Sequence, residues 1–291
     1  MNRPSLILLV GIPGSGKTTY AKKYIERNFN AIHLSSDTIR KELYGDENIQ
    51  GNPADVFSIM QKRASEALNN GYNVLYDATN MTRKDRAGII GVCPKFAKIE
   101  CHIIWAPIEV CIERDSKRER TVGKEVIDKM LKRFQAVYYD EGIDEIKIIT
   151  PEMWNADDYT DSIFLAMNVP HDNPHHTLNI EDHCVEAYKY LTGLGVKDYD
   201  LRGAALFHDV GKPYVKAFVD SKGNPCDVAH YYQHQSVGAY MFYGSRNSNP
   251  YITWLISTHM EPFFNSKYYN NLPLFLKKEI DLLHEADLAA H

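Results

Sequence analysis

Gly11-Ile12-Pro13-Gly14-Ser15-Gly16-Lys17-Thr18 decides the fold of the N-terminal half. It fits G-x-x-x-x-G-K-[ST], in which glycines let backbone N–H groups wrap phosphates. The positive end of the following helix dipole adds to that attraction. Lys17 is placed to reach the β- and γ-phosphates, and Thr18 offers its hydroxyl to Mg²⁺. The apolar run Ser5–Val10 precedes the loop and a helical pattern, Gly16–Arg27, follows it, as that mechanism requires. The expected ATP-binding set around the loop is Gly14, Ser15, Gly16, Lys17, Thr18 and Thr19.

Downstream, strand-like segments (Ala31–Leu34, Tyr72–Tyr76, Ala97–Ile104, Glu145–Ile149) alternate with helix-like ones. The latter are Asp37–Tyr44, Pro53–Asn69, Thr82–Val92, Pro107–Ser116 and Gly123–Tyr139. This alternation predicts an α/β domain with a central parallel sheet. Asp37 follows the second strand and has two readings: a base taking a proton from an acceptor hydroxyl, or the N-cap of a helix. Arg40, one turn on, suits an acceptor phosphate. Asp77 and Asn80 close the third strand and are read as substrate contacts. Asp77 either orders Mg²⁺-bound water or the acceptor, or makes a strand-end turn. The run Arg114-Asp-Ser-Lys117-Arg118-Glu-Arg120 reads as an arginine-rich lid over ATP or as a solvated charge run.

From Thr150 the pattern changes. Prolines 151, 170 and 174 mark an irregular stretch, and beyond it the apolar residues fall at helical spacing. An all-α domain is expected, with one loop excursion near Gly223-Asn224-Pro225. The predicted domains are residues 1–152 and 153–291. Five ligand-type positions stand out: His183, the pair His208-Asp209, His234, His259 and Asp287. Each falls in or at the end of a predicted helix, and Gly211 is read as a helix stop. Nitrogen and carboxylate ligands with open positions suit Mn²⁺, Fe²⁺, Co²⁺, Ni²⁺ or Zn²⁺, able to activate water on a phosphoester. His234 and His259 are read as holding a second metal or the phosphate, Asp209 as catalytic, and Lys212 as a phosphate contact. His230, four residues before His234, competes for its position, and His171, His175 and His176 are given loop or substrate-edge roles.

Composition fits this division. Of 291 residues, 44% are hydrophobic and 24% charged, which describes an ordinary globular protein. The net charge of −5 divides into about +3 for residues 1–150 and −8 beyond, where ten of the twelve histidines lie. An acidic, histidine-rich half suits cations, and a slightly basic half suits phosphates. No apolar run is long enough to span a bilayer, and the start does not read as a secretory signal. The five cysteines form no metal-type pairs, so reduced thiols in a cytoplasmic protein are expected.

The loop, the Asp37-x-x-Arg40 pair, Asp77-x-Thr79-Asn80 and Arg114-x-Ser116-Lys117-Arg118, in this order, resemble the kinase domain of phage-type polynucleotide 5′-kinases. The resemblance implies Asp37 as general base, Arg40 on the acceptor, and Arg118, with Arg114, on the nucleotide phosphates. The D-x-D-G-T phosphatase motif that usually accompanies that family is absent. Asn173-Pro-His-His-Thr177, Glu181-Asp-His183, Ala205-Leu-Phe-His-Asp-Val-Gly-Lys-Pro213, Gln233-His-Gln-Ser-Val-Gly-Ala239 and Thr258-His-Met260 resemble the HD superfamily. The likeness is strongest to HD domains appended to tRNA nucleotidyltransferases. It implies metal ligation by the H…HD…D set and phosphohydrolase activity on 2′,3′-cyclic or monoester phosphates.

The pairing is similar to HD–polynucleotide kinase end-healing enzymes, with domain order reversed. Together the resemblances imply repair of broken RNA ends, with tRNA among the candidate substrates, for a separate ligase. Two alternatives stand beside this: a small-molecule kinase fused to a nucleotidase, and an ATP-sensing regulator.

Overall fold

The computed structural model describes residues 3–119, 121–174 and 177–290. Arg120, His175 and His176, singled out above, lie outside them. Two compact units are present: Met1–Met130 with Val137–Glu152, and Leu131–Ala136 with Met153–His291.

The first unit begins β1 (Ser5–Val10), α1 (Lys17–Arg27), β2 (Ala31–Ser35), α2 (Ser36–Tyr44), α3 (Pro53–Asn69), β3 (Asn73–Asp77). It continues α4 (Arg83–Ile90), β4 (Lys98–Ile104), α5 (Ile108–Ser116), α6 (Lys124–Lys132), β5 (Glu145–Ile149). All five strands are parallel, in the order β2-β3-β1-β4-β5. Every residue of β1 is buried, as its central place demands, and Leu9 pairs with Asp77 of β3 and His102 of β4. The sheet therefore delivers the phosphate-loop sequence and Asp77 to the same edge. Helix starts are chemically marked: Ser35 caps α2, Asn52 caps α3 ahead of Pro53, and Thr82 with Asp85 forms a capping box on α4. The expected helix 123–139 stops at Lys132. Phe134, Ala136 and Val137 are buried beyond it without helical conformation.

The second unit holds α7 (Ala156–Leu165), α8 (Ile180–Gly193), α9 (Tyr199–Phe207), α10 (Lys212–Val215), α11 (His234–Phe242), α12 (Pro250–Thr258). It closes with α13 (Glu261–Phe264), α14 (Lys267–Asn271) and α15 (Leu274–Ala289). The expected loop excursion is instead an antiparallel hairpin of β6 (Ala217–Val219) and β7 (Pro225–His230). Helices α8, α9, α11, α12 and α15 pack around Leu191, Phe242, Trp254, Ile256 and Leu283, all buried. Burying each such side chain contributes about 2 kcal/mol. Gly211 is not a left-handed helix stop, since its φ is −81°. A Cβ there would lie 2.2 Å from the His234 carbonyl oxygen and 2.5 Å from the Gly238 nitrogen, so glycine permits close approach of α11.

All five cysteines are free. Among the described residues, no helix is long and apolar enough to cross a membrane.

Candidate active sites

In the phosphate loop, Gly14 and Gly16 adopt left-handed φ of 83° and 103°. A Cβ on Gly14 would sit 2.2 Å from the Cys111 carbonyl oxygen, so space and conformation both require glycine. Lys17 folds back over the loop, its ammonium donating to the carbonyls of Gly11 (2.8 Å) and Ile12 (3.0 Å). Burial lowers its pKa, against the opposing pull of Asp77. Thr18 Oγ1 donates to Asp77 Oδ2 at 3.1 Å, and His33 Nε2 approaches the same oxygen at 3.0 Å. Ser15 Oγ is buried without a hydrogen-bond partner, a polar atom left for a ligand.

A cavity of about 920 Å³ beside the loop is lined by Gly14, Ser15, Gly16, Thr19, Arg114 and Arg118, among others. Arg114 lies on α5 and points at the Gly14 carbonyl (3.4 Å). Asp115 next to it is buried and accepts hydrogen bonds from the backbone of Val122 (3.0 Å) and Gly123 (2.9 Å). It thereby ties the arginine-bearing segment to α5.

A second cavity of about 580 Å³ is lined by Ser36, Arg40, Asn48, Gln50, Phe57 and Thr79, among others. Ser35, not Asp37, is the N-cap of α2. Asp37 is half exposed and holds Arg40 at 2.9 Å, while Arg40 Nε is buried with no hydrogen-bond partner. The substrate contact expected of Asn80 gives way to a structural one. Its side chain is buried, donates to the Leu9 carbonyl at 2.8 Å, and fixes a left-handed turn of φ 49°. Thr79 faces the cavity in its place.

In the second unit, α8, the end of α9, α11, α12 and α15 bring the expected ligands together. His183, His208, Asp209 and Asp287 form one group, and Asp209, His234 and His259 another, with ligand atoms within 4.8 Å in each. His183 Nε2 lies 3.2 Å from His208 Nε2, and His234 Nε2 lies 3.1 Å from His259 Nε2. Asp287 Oδ1 approaches His183 at 2.9 Å, and Asp209 Oδ1 approaches His234 at 3.1 Å.

Each of these histidines has its Nδ1 on a backbone carbonyl: Ala290 (2.6 Å), Ala205 (2.7 Å), Tyr231 (3.0 Å) and Ile256 (2.8 Å). A carbonyl can only accept, so Nδ1 carries the proton and Nε2 presents a lone pair. Paired lone pairs facing each other beside carboxylates repel unless a cation lies between them, so the residues fit a divalent metal.

Proton binding competes with a metal for that Nε2 lone pair. Burial is the largest single influence and would lower His208, but Asp209, Cys184 and Asp287 together outweigh it and raise the imidazole well above its usual value. His259 is driven down to about 3, first by burial and then by the neighbouring His208 and His234.

Residues 6–137 match the AAA domain family and residues 180–288 the HD domain family. The chain carries a P-loop kinase domain and an HD domain. An L-seryl-tRNA(Sec) kinase of Methanococcus maripaludis is 29% identical over 135 residues, covering 44% of this chain and 52% of that protein. Transcription factor bHLH140 of Arabidopsis thaliana is 25% identical over 148 residues, covering 48% of this chain and 15% of that protein. The chain thus spans about half the length of the first relative and far less of the second. A solved chain of a Pnkp1/Rnl/Hen1 RNA repair complex is 27% identical with a TM-score of 0.41, covering 46% of this chain and 44% of that one.

Several residues around the HD cluster carried no sequence signal or an incomplete one. Buried Lys212 sits 2.5 Å from Asp209 Oδ2 and 3.2 Å from His171 Nε2. Burial first, then Lys212, lowers His171 to about 4. His230 ends β7, stacks on Tyr232 and stands outside both ligand groups. His284, one turn before Asp287 on α15, lines the HD cavity of about 660 Å³. Its helical spacing from Asp287 was the available signal. In the kinase domain, His33 and Asp115 act through a neighbouring side chain and the backbone, so no motif marks them.

Proposed function

We propose that the chain is a bifunctional end-healing enzyme. The kinase domain phosphorylates a 5′-hydroxyl on a polynucleotide, and the HD domain opens 2′,3′-cyclic phosphates or removes 3′-phosphates, preparing broken RNA for a separate ligase. The observation that carries this reading is the presence of two chemically distinct phosphate sites. One is a P-loop beside an Asp37–Arg40 pair, and the other is a histidine–carboxylate cage.

In the kinase domain, Lys17 and the loop amides hold the triphosphate, and Arg114 and Arg118 neutralise charge on the transferred group. Asp37 accepts the acceptor proton, while Arg40 orients the acceptor. Thr18 and Asp77 would hold Mg²⁺, directly or through water. In the HD domain, His183, His208, Asp209 and Asp287 would hold a divalent transition metal, and His234 and His259 a second one or the phosphate oxygens. Such an ion supplies Lewis acidity and acidifies water. Lys212 keeps the Asp209 carboxylate in place and lines the phosphate cavity. The name of the Methanococcus maripaludis relative, a kinase of L-seryl-tRNA(Sec), supports an RNA-borne acceptor.

The test is an RNA with 5′-hydroxyl and 2′,3′-cyclic phosphate ends, incubated with ATP and a metal panel. Asp37→Ala should lose 5′-phosphorylation by at least about 100-fold while keeping ATP binding and phosphate removal. Asp209→Ala should do the reverse. Loss of both activities from either change would refute two independent sites. The second cavity is also of nucleoside size, which favours a small-molecule acceptor as a second reading. Phosphorylation of free nucleosides in preference to oligonucleotides would select it.

A further inference from the structure

The cavity of about 660 Å³ at the HD cluster is lined by two chemically different sets of side chains. Asp209, Lys212, His234 and Asp287 are the ionic set. Tyr232, Met260, Phe263, Phe264 and Leu288 are the aromatic and apolar set. Phe263 is 72% exposed, Phe264 50% and Tyr232 40%. Single exposed apolar residues need no explanation, but three exposed aromatics lining one cavity together with ionic side chains do.

The placement of the two phenylalanines is fixed. They sit on α13, which holds Pro262 in its first turn, ends at Asn265 with φ 47°, and packs against α15. Their rings meet edge to face at 5.6 Å and 74°. The segment begins immediately after His259, so a candidate metal ligand and the aromatic pair share one short stretch of backbone.

We infer that Phe263 and Phe264 are the nucleobase platform of the HD site, so that it selects phosphoesters carried on a nucleoside. A nucleotide offers what the two sets require: an anionic group for the ionic side chains and a flat π-face for the rings. Stacking accepts any base because every base has such a face, so the platform favours nucleosides without reading sequence. The inference rests on the phosphohydrolase reading of the same site, which the experiment below separates from it.

The full chain carrying Lys17→Ala, which silences the P-loop, is assayed with Mn²⁺. The substrates are adenosine 2′,3′-cyclic phosphate, uridine 2′,3′-cyclic phosphate and the base-less ribose 2′,3′-cyclic phosphate. The two nucleotides should show KM values within a few-fold of each other, and roughly 10-fold or more below that of the base-less ester. In Phe263→Ala/Phe264→Ala this preference should collapse toward one through KM, with kcat on the nucleotides moving little. The double leucine variant, which keeps apolar bulk without a π-face, should lose the preference as well. Equal handling of all three esters by the Lys17→Ala chain, or full retention of the preference by the leucine variant, would overturn the platform. If no ester is hydrolysed, the phosphohydrolase reading falls, and calorimetric binding of adenosine 3′-phosphate decides the platform alone. Phenylalanine-dependent binding would sustain it, and no binding would end it.

Discussion

Gly211 and Gly238 face each other where α10 meets α11, yet they are not equivalent. A methyl group on Gly211 collides with the His234 carbonyl oxygen at 2.2 Å, which is backbone and cannot swing aside. On Gly238 the nearest atoms are the Gly211 nitrogen at 3.0 Å and Val210 Cγ1 at 3.2 Å, which need shift only slightly. Gly211→Ala should therefore destabilise the HD domain by about 2–4 kcal/mol and reduce bound metal, because it pushes Asp209 away from His234. Gly238→Ala should cost about 1 kcal/mol or less. Thermal melting with metal analysis checks both. At this scale the candidate ligands His183, His208, Asp209, His234, His259 and Asp287, which the fold brings together, could be picked out because histidine and aspartate at helix ends advertise their chemistry. Asn80 was misread: its motif position says nothing of a side chain consumed by the Leu9 carbonyl. Gly211 was assigned a turn role because sequence cannot reveal a backbone passing within 3 Å.

Strands were legible as elements because a buried parallel sheet demands uninterrupted apolar runs, of which β1 is the clearest. The overlong helix after Gly123 has a matching explanation. Ile127, Leu131 and Phe134 continue a 3.6-residue period that structure does not obey past Lys132. The hairpin escaped because β6 has only three residues, too few for alternation to register. A polar network crosses the sheet in a way no pattern announces. Glu100 accepts from Ser5 Oγ (2.8 Å), Lys147 (3.0 Å) and His102 Nε2 (3.3 Å). Tyr20 of α1 donates to His102 Nδ1 at 2.8 Å. The His102 contact, with Lys147, Ser5 and Lys98, overcomes burial and holds Glu100 far below the ordinary 4.5. A depressed folded-state pKa stabilises above the unfolded value and is lost as pH falls beneath it. At pH 7, Glu100→Gln should thus destabilise the kinase domain by about 2 kcal/mol. The gap between variant and parent should narrow as pH drops below 4.5, as read by denaturant titration at several pH values.

For the whole molecule, the charge asymmetry distinguishes a half suited to phosphates from one suited to cations, and a candidate site lies in each. Each ligand should therefore stabilise its own unit by mass action. A non-hydrolysable ATP analogue with Mg²⁺ should raise the unfolding temperature of the kinase domain, and Mn²⁺ that of the HD domain. At 100 times Kd each effect is worth about 2.7 kcal/mol. Chelation should reverse the second effect once metal has been loaded. Hydrogen exchange resolved by domain checks the assignment, and protection of both domains by one ligand would contradict it.

The carbonyl of Ala290 that orients His183 belongs to the main chain, so every amino acid placed at 290 would supply it. A substitution scan would score that position as tolerant. Proteolytic trimming that removes residue 290 would take the acceptor from His183 Nδ1, and with it the constraint on which ring nitrogen carries the proton, with all six candidate ligand side chains still present. Samples trimmed in this way during preparation would look chemically intact at the centre and still hold metal poorly.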